Sequence, residues 1–240
     1  MVAVEEKRSR RHAAPSPYSF KASPYSSHGL VVRCFPSDGR GRSVLDLGCG
    51  SGEIGGMLTA AGYRVTGVDR PGCTGPDFPA SVTLVEADLE GGLPRLPGTF
   101  DYVLCADVLE HLRDPERQLH EIGGVLAPGG RLVASLPNSG NIYFRLNVLA
   151  GRIPSHDCGL FDRTHLHFYT WTGWVKLLTA AGFRIEKVMC TAMPVGLALG
   201  RWERVLVVRW LEAACYVLAR WWKKLFAYQF VVVALAERDA

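Results

Sequence analysis

The stretch Val44-Leu-Asp-Leu-Gly-Cys-Gly-Ser-Gly52 constrains this chain more than any other part of it. An apolar, strand-favouring run ends in an acidic residue, and glycines follow at alternate positions. Such a strand delivers the backbone to a sharp turn whose N–H groups face a ligand. Glycine suits the turn because a Cβ would block both the required φ/ψ values and the close approach. The order is Gly-x-Gly-x-Gly. It is neither the dinucleotide fingerprint Gly-x-Gly-x-x-Gly nor a phosphate loop closing in Gly-Lys-Ser/Thr. The turn therefore argues against a pyrophosphate cradle and for a ligand with an amino-acid portion.

The following residues repeat the theme. Arg64-Val-Thr-Gly-Val-Asp69 and Leu84-Val-Glu-Ala-Asp88 are short strands ending in carboxylates. Phe100-Asp-Tyr-Val-Leu-Cys105 is followed by Asp107-Val-Leu-Glu-His111, and Leu126 to Pro137 reads as a helix end, a Pro-Gly-Gly turn and another strand. Strands are predicted at 43–47, 64–68, 82–86, 100–105, 130–136, 184–189 and 230–236. Helices are predicted at 26–35, 53–61, 115–126 and 172–181. Gly62 and Gly182 stand where helices would stop, and Asp114-Pro115 offers an N-cap with proline at the first helical position. Pro71 to Pro79 is too rich in Pro and Gly for a full crossover helix. Alternating strands and helices demand right-handed parallel crossovers and a doubly wound α/β sheet. Ligands of such sheets sit at the carboxyl ends of the strands, where these acids converge.

Composition narrows the class. With 240 residues and 48% hydrophobic content, the chain suits one α/β domain with a sizeable core. Seven cysteines, none in a Cys-x-x-Cys pair, read as reduced thiols of a cytoplasmic protein. The N-terminus is basic and rich in Ser and Pro, and it lacks the apolar segment of a secretory signal. Residues 1–24 are predicted to be a disordered basic arm, with a flap over the ligand as the alternative, and 25–240 a single domain. A net charge of +4 is too small to diagnose nucleic-acid binding. Six basic and two acidic residues between Arg201 and Lys224 hold a surplus equal to that of the whole chain.

From Ser43 to Phe183 the succession of motifs resembles the class I S-adenosylmethionine-dependent methyltransferases. The resemblance implies a Rossmann-like, seven-stranded, mostly parallel sheet with an antiparallel terminal strand and helices on both faces. It implies S-adenosylmethionine as the methyl donor and S-adenosylhomocysteine as the product. Gly48, Gly50 and Gly52 would line the methionine part, and Asp46 would orient that loop and engage the ammonium group. Asp69 would accept from both ribose hydroxyls and Asp88 from the adenine amino group, with Leu89 beside the ring. Ala106 and Asp107 would approach the sulfonium.

The acceptor side is read less directly. An oxygen acceptor needs a base near its proton, and His111 and His167 are the candidates. Asp107-x-x-Glu110-His111 resembles the Glu-x-x-Glu-His element of ubiquinone-biosynthesis O-methyltransferases and small-RNA 2′-O-methyltransferases, where it helps bind a divalent metal. Here the first acid is one methylene shorter, and metal-independent relatives carry an acid–histidine pair at the same place, so no metal is expected. His156, Cys158, His165 and His167 fit no zinc spacing. Residues 136–154, together with Asp162 to Tyr169, resemble the methionine-biosynthesis protein MetW and its relatives, in which this segment builds the acceptor pocket. The resemblance makes Tyr143, Arg145, Arg152, Arg163 and Tyr169 candidates for substrate contacts.

Insertions are thus expected at 138–168 and 195–225. The second reads as an amphipathic helix over 201–224, too interrupted by charge to span a membrane. It would either pack on the domain or serve as an interfacial or lid helix in peripheral contact with the inner face of a membrane. The expectation is a cytoplasmic methyltransferase acting on a small or lipid-linked molecule, with oxygen as the acceptor atom. The alternatives are an N-methyltransferase and a MetW-like cofactor-binding partner that regulates another enzyme. No Asn-Pro-Pro-Tyr-type element follows the fourth strand, which places nucleic-acid methylation last.

Overall fold

The computed structural model describes residues 25–194 and 206–237. The expected arm at 1–24 and the beginning of the second insertion, including Arg201, Glu203 and Arg204, lie outside the described residues.

Seven strands form one sheet: β1 (Ser43–Leu47), β2 (Arg64–Asp69), β3 (Thr83–Glu86), β4 (Phe100–Ala106), β5 (Leu126–Pro137), β6 (Phe183–Cys190) and β7 (Gln229–Ala236). Their spatial order is β3-β2-β1-β4-β5-β7-β6. The first five run parallel, and β7 lies antiparallel to both β5 and β6. The expected seven-stranded α/β sheet with an antiparallel last strand is therefore present.

Alternation along the strands explains why both faces carry helices. Leu45, Leu47, Val103 and Cys105 point to one side, where Leu119 and Ile122 of α3 (Pro115–Val125) and Trp174 and Leu178 of α5 (Trp171–Ala180) cover them. Val44, Val65, Tyr102 and Leu104 point to the other, under α1 (Ser27–Val32) and α2 (Glu53–Ala60). Strands buried on both faces must read as near-continuous apolar runs, as these do. Caps fall where the sequence offers them: Asp114 accepts from the Arg117 N–H, and Thr170 from that of Gly173.

Two local readings change. Strand β5 starts at Leu126, not after the Pro-Gly-Gly turn. Phe100 pairs with Leu126 and Tyr102 with Arg131, so residues 127–130 are absorbed as an irregularity in the ladder. Among its described residues the second insertion forms two helices, α6 (Leu206–Trp221) and α7 (Lys223–Phe226), instead of one continuous element. The first insertion contributes α4 (Ile142–Leu149). Both leave the sheet at its carboxyl edge, where β5 ends and β7 begins. There the side-chain amides of Asn138 and Asn141 each donate to the Ala227 carbonyl at 2.8 Å, fastening the start of α4 to the end of α7.

Candidate active site

The carboxyl edge of the sheet gathers the predicted residues. Gly48, Gly50 and Gly52 all have positive φ, at 67°, 52° and 74°. At Gly48 sterics add to conformation: a Cβ there would stand 2.6 Å from Val108 Cγ2. Gly48→Ala is expected to lose roughly 2 kcal/mol or more of stability and most ligand affinity, because strain and clash add. Urea unfolding together with calorimetry measures both, and a variant with wild-type values in each would contradict the geometry.

The acids divide by environment. Asp46 is buried, and burial, reinforced by the Asp69 charge, lifts its pKa from 3.8 to about 7. Asp69 is half-buried, and its two oxygens accept separate backbone N–H groups, from Gly50 at 2.7 Å and from Arg70 at 2.7 Å. The second strand end thus holds the glycine turn directly. Asp88 is exposed and accepts from the Glu90 N–H at 3.0 Å, with Leu89 buried behind it.

Asp107 follows β4 and is held in place by two side chains from other strands. It has φ of 55°, one of two positive values among the described non-glycine residues. Its carboxylate accepts from the Ser135 hydroxyl and, at 2.7 Å, from the Gln229 side-chain amide. Ala106 ends β4 beside it. Neither Ser135 nor Gln229 was identifiable from the sequence, because only the pairing of β5 with β4 and β7 brings them to this turn.

The turn Leu109–His111 and the segment 162–168 are knitted together. The Glu110 carbonyl accepts from Leu166 N–H at 2.9 Å and His167 N–H at 3.2 Å. His111 Nδ1 lies 3.0 Å from Thr164 Oγ1, and Thr164 Oγ1 donates to Asp162 at 2.6 Å. The Glu110 carboxylate is fully buried, neither oxygen has a hydrogen-bond partner, and His165 Nε2 stands 3.8 Å away. Burial, with the Asp107 charge second, pushes the Glu110 carboxyl well above the ordinary range. Burial, with His111 second, lowers His165 from 6.5 to about 4. Donor atoms of Glu110, His111 and His165 lie within 4.8 Å of one another.

The two candidate bases are therefore not equivalent. His111 shares a ring contact with His165 at 4.7 Å, whereas His167 stacks on Tyr169 at 5.4 Å and its Nε2 is buried without a partner. Among the candidate substrate contacts, Tyr143 packs edge-on against Phe161. Arg145 donates to the Gly140 carbonyl at 2.7 Å, and Arg163 pairs with Asp157 at 2.9 Å. Arg152 is exposed, and Tyr169 packs on Trp174.

A family model described as a methyltransferase domain matches residues 22–188. The chain belongs to the methyltransferase-domain family. The fold of this methyltransferase-family chain is that of the class I S-adenosylmethionine-dependent enzymes. It resembles a SAM-dependent methyltransferase from Archaeoglobus fulgidus with a TM-score of 0.58 and 21% identity, covering 88% of this chain and 95% of the other. It also resembles the Burkholderia thailandensis 1,6-didemethyltoxoflavin-N1-methyltransferase, solved with bound 1,6-didemethyltoxoflavin and S-adenosylhomocysteine. There the TM-score is 0.58 and the identity 19%, covering 89% of this chain and 80% of the other. At such identities the likeness shows the fold alone. Among curated proteins, the ubiquinone biosynthesis O-methyltransferase of Photorhabdus laumondii is 32% identical over 107 residues, covering 41% of this chain and 44% of that protein. The mitochondrial one of Schizosaccharomyces pombe is 32% identical over 105 residues, covering 40% of this methyltransferase-family chain and 38% of that protein. The match spans less than half the length of these curated relatives.

Proposed function

We propose that this chain transfers the methyl group of S-adenosylmethionine to an oxygen of a small or lipid-linked acceptor. One observation carries the reading. The acids that end β1 and β2 converge on one glycine turn, with Asp69 bonded to Gly50 and Asp46 buried beside it. A carboxylate-rich crevice suits a ligand with an ammonium and a sulfonium better than it suits a phosphate. The named activity of the ubiquinone O-methyltransferase relatives favours oxygen over nitrogen.

When bound, the cofactor supplies an activated methyl group. Asp69 would hold the ribose hydroxyls, Asp88 and Leu89 the adenine, and Asp46 the ammonium group. The turn at Ala106–Asp107 would border the reacting carbon. His111 would accept the acceptor's proton on one ring nitrogen while Thr164 steadies the other. Positioning and exclusion of water supply much of the rest. The exposed apolar side chains of α6 support an amphiphilic acceptor and peripheral contact with a membrane. No described helix is long and apolar enough to cross one. Mass spectrometry of co-purified ligand, followed by labelled-methyl transfer onto lysate fractions, tests the reading. A labelled lipid or small molecule supports it, whereas bound cofactor without any labelled product favours the MetW-like partner role.

The unpartnered Glu110 carboxylate favours a second reading. With His111 and His165 it offers a donor set that suits a divalent ion, which would orient acceptor oxygens. Asp107, engaged by Ser135 and Gln229, stands outside that set. Our reading is that transfer proceeds without metal, so activity is expected to persist in EDTA. Complete loss restored by magnesium would instead make Glu110, His111 and His165 ligands.

A further inference from the structure

Helix α6 sits against the protein with the opposite face to the one its sequence suggests. Trp210, Leu211, Val217, Leu218, Trp221 and Trp222 recur at helical spacing and are all exposed, Trp210 at 75% and Trp221 at 89%. Among its described side chains the less exposed positions are Glu212, Ala213, Cys215, Tyr216 and Ala219. Ala219 is buried in the core, and the Tyr216 ring lies 4.7 Å from that of Tyr25. An apolar stripe turned outward on a helix that already has a packed face is surface left for something else.

A second apolar surface lies on α4. Helix α4 buries none of its residues fully; its last residue, Leu149, is 84% exposed, and Ile153 just beyond it is 76% exposed. Asn138 and Asn141 fasten the start of α4 to the end of α7, so the two surfaces flank one joint at the carboxyl edge. Charge sets the partner's chemistry. Residues 122–156 contain no Asp or Glu but carry Arg, and across α6 and α7 Glu212 stands alone against Arg209, Arg220, Lys223 and Lys224. Arg220 and Lys224 are exposed beside the Trp stripe. Two copies meeting here would oppose like charges.

We propose that α4 and the α6–α7 pair form one platform that docks on an anionic lipid bilayer. The Trp and Leu side chains would enter the headgroup boundary while the cations meet lipid phosphates. The platform borders the candidate active site, so an acceptor dissolved in the bilayer would reach the crevice without crossing water. That use rests on the reading of a lipid-linked acceptor, whereas the docking itself does not.

Flotation of the full chain with vesicles of phosphatidylcholine, alone or with added phosphatidylglycerol, tests the proposal. Binding is expected to be roughly tenfold stronger on the anionic vesicles and to weaken in high salt. The Trp221→Ala/Trp222→Ala and Leu149→Ala/Ile153→Ala pairs should each lower it, by about tenfold for the first. Arg220→Glu/Lys224→Glu, changed only at exposed positions, should remove the anionic preference. Calorimetry with S-adenosylhomocysteine on the same samples reports whether each variant is folded. Wild type that docks but binds no S-adenosylhomocysteine would overturn the methyltransferase reading and leave the platform standing. Three results would overturn the platform: no flotation on either vesicle, flotation indifferent to both apolar pairs, or a sedimentation dimer that disappears in the Trp221→Ala/Trp222→Ala variant.

Discussion

Asp69→Ala is expected to bind S-adenosylmethionine about 30- to 1000-fold more weakly than wild type, corresponding to roughly 2–4 kcal/mol. In the proposed site the carboxylate accepts from two vicinal hydroxyls, and an alanine leaves both unpaired. The structure adds a second loss. The Asp69 carboxylate also holds the Gly50 N–H at 2.7 Å, so its removal loosens the turn that faces the ligand. Asp69→Asn keeps the size and one acceptor oxygen but loses the charge, and should fall between the two. Calorimetry with S-adenosylmethionine and S-adenosylhomocysteine measures the series, and equal affinity across it would remove Asp69 from the site.

Asp46→Asn should separate stability from binding, strengthening the fold while weakening the ligand. The native Asp46 pKa lies above its ordinary value, so the native state keeps a proton that the unfolded chain has already released. That proton favours the native state at low pH, and the advantage is lost as pH rises through the native pKa. A rise from 3.8 to about 7 corresponds to about 4 kcal/mol, which the native state forgoes on the alkaline side. The amide carries no charge to bury, so the variant's gain in stability should be absent near pH 4 and largest above pH 7. His165 acts with the opposite slope. Its pKa is lowered to about 4, so its contribution is lost as pH falls from 6.5 through that value. The two effects overlap in wild type, and the difference between Asp46→Asn and wild type isolates the first. Urea unfolding at acidic, near-neutral and alkaline pH measures it; a gain that does not grow with pH would show that Asp46 titrates normally. A cationic ligand beside Asp46 should also expel the proton, so calorimetric heats near neutral pH should vary with buffer ionisation enthalpy.

These two carboxylates were legible because their signal is local. Each closes an apolar run, and period-two burial with a turn-forming glycine suffices to place it. Most strand positions followed for the same reason, as did the cap at Asp114, whereas the Thr170 cap emerged only with the structure. Non-local partners were not legible. Gln229 is 122 residues from Asp107, and nothing in either neighbourhood announces the other. The Glu110–His165 approach depends in the same way on how the first insertion folds back over the Leu109–His111 turn. Helix α6 shows a different limit. Periodicity revealed one apolar arc but carries no information on whether that arc faces the core, and packing through Cys215, Tyr216 and Ala219 turned it outward. At Pro128-Gly-Gly, turn chemistry suggested a break where the ladder instead tolerates an irregularity.

Strand β7 has a bearing on how the molecule is made. It lies between β5 and β6 and hydrogen-bonds to both, so neither of those strands completes its edge before residues 229–236 arrive. Synthesis proceeds at about 5–20 residues per second, and long-range pairing waits for its partner. Throughout that interval β1 to β5 can associate, but Asp107 lacks the Gln229 amide that holds its left-handed turn. A ribosome carrying this nascent chain therefore displays an unfinished catalytic crevice with two apolar strand edges still open. Pairing of β7 with both neighbours then seals the sheet and completes the Asp107 turn in one step.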